Sequence, residues 1–414
     1  MRSISKISQI NRATLLFPFA LVLFEFAVYI ANDMVQPAML MVTQEFKVDA
    51  SWVPLSMAAF LIGGTSLSWL TGPLSDQIGR RPVLLGGVFF FIVSCLATYL
   101  VHSIESFMAL RVLQGIGLCF ISTVGYATVQ EAFDEKNAVK VSALMSNVAL
   151  LAPMIGPLGG AALIEYAPWR SCFLFIAIIS FFALIGLWLK MPETVFSHTE
   201  KPPISRIFHE YLALFKQSRF VMLALLMPML GMPLIGWIAI SPLILVNDFG
   251  YNLLEYGLWQ LPVLGSLVLG NFCLMRATDH WPLGRSALIS CWPLAGGVVL
   301  ILLGLLFPLF FHFNTPLLLV LGICCCTFSD GLATAVLYRF ALTASEQTKG
   351  TVSAGISIIV TVGYTIGIEV ARLCYLAAGT LGFTLAMSAF SCYYIFKVRA
   401  CVHSEMSKRH STPL

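Results

Sequence analysis

Two carboxylates, Glu25 and Asp33, stand eight residues apart in FEFAVYIANDM, inside an apolar run long enough to cross a membrane. A carboxyl group held away from water can keep a proton as a neutral acid or balance a positive charge as an anion. Moving between those two states is the chemistry of exchange. Eight residues of helix at 1.5 Å rise put the two groups about 12 Å apart along the axis. Other apolar runs are interrupted in the same way, by the bases Arg111 in MALRVLQGIG and Arg339 in AVLYRFAL and by the acids Asp330 in CCCTFSDGLA and Glu369 in VGYTIGIEVAR.

The elements that carry these groups must be membrane helices. Of 414 residues, 58% are hydrophobic and 11% charged, where soluble chains sit near roughly 45–50% and 25%. So few charges cannot build a water-soluble surface, and a mean hydropathy of +0.88 agrees. Windows of about 20 apolar residues fall at 14–36, 52–74, 83–101, 107–128, 139–164, 171–190, 220–246, 256–275, 287–311, 316–343, 351–376 and 379–397. With the N-terminus inside, 19 of the 24 Lys and Arg residues lie in inner segments. These include Arg2, Lys6, Arg12, Arg80, Arg81, Lys136, Lys140, Lys201, Lys349, Lys397 and Arg399, whereas Lys47, Arg170 and Arg372 are outer. By the positive-inside rule both termini face the cytoplasm.

The net charge of +4 is therefore a topological bias, and no inner loop concentrates bases with aromatics to grip nucleic acid. The N-terminal MRSISKISQINR is followed by an apolar run too long for a signal peptide, so it is read as leading into a retained first span. Eleven cysteines form no C-x-x-C pair and read as apolar filler, which leaves no metal site. All seven histidines lie in loops or tails, so a proton crossing the membrane must use carboxylates. No G-x-x-x-x-G-K-[ST] loop is present, and neither a nucleotide nor any other cofactor is expected.

Residues 191–219 are the longest hydrophilic interval and divide the chain into two six-span bundles, 1–190 and 220–414. Within this linker Ile204, Ile207, Phe208, Tyr211, Leu214 and Phe215 recur at helical spacing, as in a helix lying on the inner membrane surface. The halves echo one another, since GPLSDQIGRRPVLL after span 2 has RATDHWPLGRSALI in the corresponding place after span 8. Such repetition suits a transporter whose halves rock about a midplane site.

GPLSDQIGRRP, with Gly72, Asp76, Gly79, Arg80 and Arg81, resembles the loop signature between spans 2 and 3 of the major facilitator superfamily. LRVLQGIG resembles the span 4 signature, with Arg111, Gln114, Gly115 and Gly117, and APMIGPLGGA resembles the span 5 motif of antiporters, with Gly156, Pro157 and Gly160 but Ala161 for its last glycine. Together with span 1, GYATVQEAF and KGTVSA, they make the chain similar over nearly its whole length to the drug:proton antiporter group of that superfamily. Asp330 departs from that pattern. The resemblance implies an all-α membrane protein of twelve helices in two pseudo-symmetric six-helix bundles. It also implies a monomer, not an enzyme, that handles protons and small lipophilic or cationic substrates among membrane lipids.

Span 1 runs outward and span 4 inward, which places Asp33 and Arg111 at matched depth, where a buried pair of opposite charges is expected. Glu25 has no base at its depth. An isolated carboxylate there costs at least ~2.5–3.5 kcal/mol when charged, so a neutral, protonated form becomes accessible, and a carboxyl kept permanently neutral is the structural alternative. The resemblance places Tyr29, Asn32, Met57, Leu118, Tyr126 and Ala149 among substrate contacts, with Glu25 and Asp33. Polar tips on apolar bodies and adaptable methionine suit varied amphiphiles. Asp76, Arg80, Arg81, Gly156 and Pro157 are read as gating residues, and Glu131 and Arg339 as a bridge that closes the inner side. Glu369 either pairs with Arg372, three residues on, or titrates in the cavity, as Asp330 would.

The reading is a proton-coupled multidrug efflux transporter of a bacterial inner membrane, working by alternating access. A carrier for one amphiphilic metabolite, such as a siderophore or sugar derivative, remains open. A non-transporting receptor or channel is the alternative of another class.

Overall fold

The computed structural model of the chain describes residues 15–195, 204–278, 280–282, 284–310, 316–345, 347 and 349–411. Arg2, Lys6, Arg12, Lys201 and Asp279, the acid of the second-half echo, lie outside the described residues. Among the described residues, eleven helices are long and apolar enough to cross a membrane. The first ten are α1 (Leu16–Asp33), α2 (Ala50–Ile78), α3 (Arg80–Leu100), α4 (Ile104–Ala132), α5 (Glu135–Tyr166), α6 (Arg170–Lys190), α7 (Ser218–Asp248), α8 (Leu253–Ala277), α9 (Arg285–Gly304) and α10 (Leu317–Leu342).

The eleventh, Thr351–Val402, is broken at Ala378 and Gly379. Gly379 has φ 58° and ψ −145°, a conformation that L side chains rarely adopt. The helix is thus two spans, α11 before the break and α12 after it. Among the described residues this makes twelve helices of spanning length, within a few residues of the twelve apolar windows.

The chain forms two compact units, Met1–Trp52 with Ser56–Pro202 and Val53–Leu55 with Pro203–Leu414. In the first, α1 packs on α5 and α6, and α6 packs on α3. Nearly the whole of α1 is buried, Phe17, Phe24, Ala27 and Val28 among its core residues. A helix that is apolar all round belongs inside, so the acids on α1 are carried inside with it. In the second unit α7 packs on α10 and on the α11–α12 pair, and α10 packs also on α8 and α9.

Helix α7 keeps Pro228, Pro233 and Pro242 within it. Membrane helices tolerate such interruptions where neighbours satisfy the backbone. Close by, Trp237 donates to Gln260 at 2.9 Å and Gln260 donates to Ser241 at 3.0 Å, a buried polar chain with each member partnered. The amphipathic stretch of the linker forms the helix Ile204–Phe215. Its Leu214 is buried and seated where Gly355 of α11 leaves room, since a Cβ there would come 2.6 Å from Leu214 Cδ2.

Between α1 and α2 the short helix Met39–Glu45 ends on a carboxylate. Glu45 accepts hydrogen bonds from Trp169 Nε1 at 2.6 Å and Arg170 Nη1 at 2.7 Å, and the Trp169 ring meets Phe46, Phe107 and Phe173 edge-on. Burial alone would raise this carboxyl, but the bonds from Trp169 and Arg170 and the Arg170 charge outweigh it and hold it below its ordinary value of 4.5. A folded value below the unfolded one gives stability that is complete above 4.5 and lost as pH falls through the folded value. Glu45→Gln should therefore flatten the acid limb of a melting-temperature profile. The effect will be small because the side chain is 44% exposed and screened.

Candidate functional site

The face of α1 that repeats every three to four residues carries Glu25, Tyr29, Asn32 and, at the helix end, Asp33. Glu25 is fully buried. Its Oε1 accepts a hydrogen bond from the Tyr126 hydroxyl of α4 at 3.1 Å, and its Oε2 is buried without a partner among the described residues. Tyr29 lies close enough to interact electrostatically with both Glu25 and Tyr126. Among the described residues no basic side chain bonds to Glu25, in keeping with the isolation expected from its depth.

Helix α4 is not uniform between its two site residues. Phe120–Gly125 form a π-helical segment directly before Tyr126. An extra residue per turn rotates the remainder of the helix, and such segments recur at functional sites. Here the next residue is Tyr126, whose phenol reaches Glu25.

Asp33 is the last residue of α1, where the negative end of the helix dipole disfavours an anion. Its Oδ1 accepts from Asn32 Nδ2 at 3.1 Å, and Gln36 Nε2 donates to the Asn32 carbonyl at 3.1 Å. Helix α5 lies directly against this turn. A Cβ on Gly156 would sit 2.9 Å from Asp33 Cβ, and one on Gly160 would run into the Met34 carbonyl. The glycines of APMIGPLGGA thus permit a close approach that larger residues would forbid, and Pro157 lies between them in the same helix.

Arg111 is fully buried, and the structure corrects its expected partner. Instead of a salt bridge to Asp33, Nε donates to Ser56 Oγ at 2.9 Å, while Nη1 donates to the Ala31 carbonyl at 3.1 Å and to Gln114 Oε1 at 2.9 Å. The guanidinium lies over the Phe60 ring, 4.8 Å from its centroid, and Nη2 has no partner among the described residues. Asp33 and Arg111 do sense each other's charge without touching. The reason is local. The guanidinium is anchored on α1's own carbonyl two residues before Asp33, and Asn32 occupies the carboxylate.

Glu25 Oε2, Asn32 Oδ1, Gln36 Oε1 and Arg111 Nη2 are four buried polar atoms without partners among the described residues, all in this region of the first unit. Each such atom costs roughly 1–3 kcal/mol. These four are the groups of the region with bonding capacity to spare for a proton, a water or a ligand. Met57 is buried, and Leu118, Tyr126 and Ala149 are half-buried. Ser56 and Gln36 were not singled out in the sequence, where a lone serine or glutamine in an apolar run carries no signal. Gln114 was visible as part of its motif.

The charged loop after α2 makes its own network. Arg80 pairs with Asp76 at 2.5 Å and with Glu131 at 2.9 Å, and Thr194 also donates to Glu131. Glu193 accepts the backbone N–H groups of Arg80 and Arg81, capping the start of α3. In the second unit Arg339 lies in the last turn of α10. Asp330 of α10 is 7% exposed, accepts a hydrogen bond from Thr334, and lies in electrostatic range of Tyr364 and Tyr394. Glu369 takes its local partner, receiving Arg372 Nε at 2.8 Å and Nη2 at 2.5 Å.

The sequence model of the Major Facilitator Superfamily matches residues 21–368. A "Multidrug transporter MdfA" of Edwardsiella piscicida is 45% identical over 382 residues, 92% of each chain. A "Chloramphenicol resistance protein CraA" of Acinetobacter baumannii is 44% identical over 400 residues, 97% of this chain and 96% of the relative. Among solved structures, the POT family transporter PepTSo superposes with a TM-score of 0.75 at 14% identity, covering 98% of this chain and 99% of its own, a likeness of fold. With twelve apolar helices, the matched family model and relatives this similar over nearly their full length, the chain belongs to the major facilitator superfamily, a multi-pass membrane transporter and not an enzyme.

Proposed function

We propose that this transporter expels lipophilic cationic and neutral compounds in exchange for protons, by alternating access, from a bacterial cytoplasmic membrane with both termini inside. The observation that carries the reading is Glu25, fully buried, with one oxygen held by Tyr126 and the other without a partner among the described residues. A carboxyl in that setting is held in neutral form by a proton and in charged form by a cation, and the two cannot occupy it together. The names of the relatives, one a multidrug transporter and one a chloramphenicol resistance protein, support the substrate class. The distribution of Lys and Arg supports the orientation.

In this proposal Glu25, Asp33 and Arg111 couple the proton, and Tyr29, Asn32, Met57, Leu118, Tyr126 and Ala149 meet substrate. Asp76, Arg80, Arg81, Glu131, Gly156, Pro157 and Arg339 govern the change of state, and the working unit is the monomer. Everted membrane vesicles test it through uptake of a fluorescent lipophilic cation driven by an imposed proton gradient. Uptake should vanish when the gradient is collapsed, and uptake indifferent to the gradient would remove antiport.

Asp330 is a further titrating group in the same proposal, since it is buried, bonded by Thr334 and without an ion pair among the described residues. Asp330→Ala should shift the ratio of cationic to neutral compounds tolerated in a resistance profile, by severalfold for the cations. An unchanged ratio would make it a structural acid satisfied by Thr334.

A further inference from the structure

Helix α6 ends at Lys190, yet the chain after it turns back onto the first unit, with Met191 and Thr194 buried. A carboxylate holds it there. Glu193 Oε1 accepts the backbone N–H groups of Arg80, Thr194 and Val195 at 2.9, 2.9 and 3.0 Å, and its Oε2 accepts that of Arg81 at 3.2 Å. Helix α3 needs this cap from a distance, because its own N-cap is Gly79, which has no side chain to offer. Gly79 also makes the room. Its φ of 107° is one that L side chains rarely adopt, and a Cβ there would run into Glu193 Oε2. In return Arg81 Nη2 donates to the Trp188 carbonyl at 2.6 Å, near the end of α6.

The strap so fixed delivers Thr194 to the inner end of α4. Its Oγ1 donates to Glu131 Oε2 at 2.5 Å. Arg80 reaches the same carboxylate with Nη2 on Oε1 at 2.9 Å and with Nε on Oε2 at 3.3 Å, so on Oε2 the threonine makes the shorter bond. Arg80 is also divided among Asp76 and Ser75. The Glu131 side chain is 35% exposed, and an ion pair with a partner that open to water is weak and loosely oriented by itself. A hydroxyl bond gives the carboxylate a direction without cancelling any of its charge.

We propose that Thr194 is a positioning residue of the gate, holding the Glu131 carboxylate in the orientation that Arg80 meets, with Glu193 setting the strap that carries it. This rests on the gating roles proposed above for Arg80 and Glu131. Without the hydroxyl, Glu131 turns into water, Arg80 meets it less often, and the cycle waits on that step. Substrate affinity is untouched, because the hydroxyl acts on Glu131 and not on the cluster around Glu25.

The test is transport of tetraphenylphosphonium by the purified protein in proteoliposomes under an imposed proton gradient, read as kcat and KM beside melting temperature in detergent. Thr194→Val keeps the branched shape and removes the hydroxyl. It should melt with the wild type and lose kcat severalfold at unchanged KM, the mark of a step after binding, whereas Thr194→Ser keeps the hydroxyl and should restore most of the rate. In a Glu131→Gln background Thr194→Val should add little, because residues that act through one another are not additive. Undiminished kcat on Thr194→Val, a loss that Thr194→Ser fails to restore, or an equal fold loss with and without Glu131→Gln would each overturn the role of Thr194. A Glu131→Gln protein that turns over like the wild type would overturn the gate reading and this proposal with it. An impaired Glu131→Gln beside an unimpaired Thr194→Val would leave the gate standing and remove Thr194 alone.

Discussion

Arg111→Ala should cost the protein roughly 3–5 kcal/mol of stability and abolish transport, because it strips donors from three buried acceptors at once, Ser56 Oγ, the Ala31 carbonyl and Gln114 Oε1. Arg111→Lys keeps the charge but not the planar fork, cannot reach all three acceptors, and should fall between. Asp33→Asn in the Arg111→Ala background removes the carboxylate that had felt the lost charge, so it should recover folding better than activity. Melting temperature in detergent, read beside drug resistance in cells, separates the two quantities. An Arg111→Ala protein that melts and transports like the wild type would show that the guanidinium organises nothing.

The coarse architecture was legible because membrane helices announce themselves by length and apolarity. The break at Gly379 fell where the sequence put the boundary between its last two spans, and the linker helix followed its apolar period. The isolation of Glu25 was legible too, since depth along a helix can be counted at a fixed rise per residue.

What could not be counted was azimuth. Depth brought Asp33 and Arg111 level, but the guanidinium turns toward Ser56, Gln114 and the α1 backbone. That choice depends on how α2 and α4 pack, which neither helix states alone. The Tyr126 phenol reaches Glu25 after the π-helical turn Phe120–Gly125, a register change with no spacing rule to reveal it. Glu369 left two readings open in the sequence. Geometry favours the simpler, because Arg372 one turn along presents both donors to it.

Glu25→Gln should split the substrates. The amide copies the protonated acid in shape and can still bond Tyr126, so neutral compounds should be exported at near wild-type levels. Lipophilic cations lose their countercharge, and resistance to them should fall by tenfold or more. Loss of every compound alike would make Glu25 structural, and undiminished cation export would move the coupling to Asp33 or Asp330.

The exchange itself is most directly read as protons released when a cation binds. Purified protein in weak buffer near neutral pH, followed with a pH-sensitive dye, is titrated with tetraphenylphosphonium as a plain lipophilic cation. If Glu25 surrenders its proton to make room for the cation, the wild type should release close to one proton per cation bound and Glu25→Gln close to none. Cation binding by the wild type without proton release, or equal release from Glu25→Gln, would contradict the claim that this carboxyl is the site of exchange.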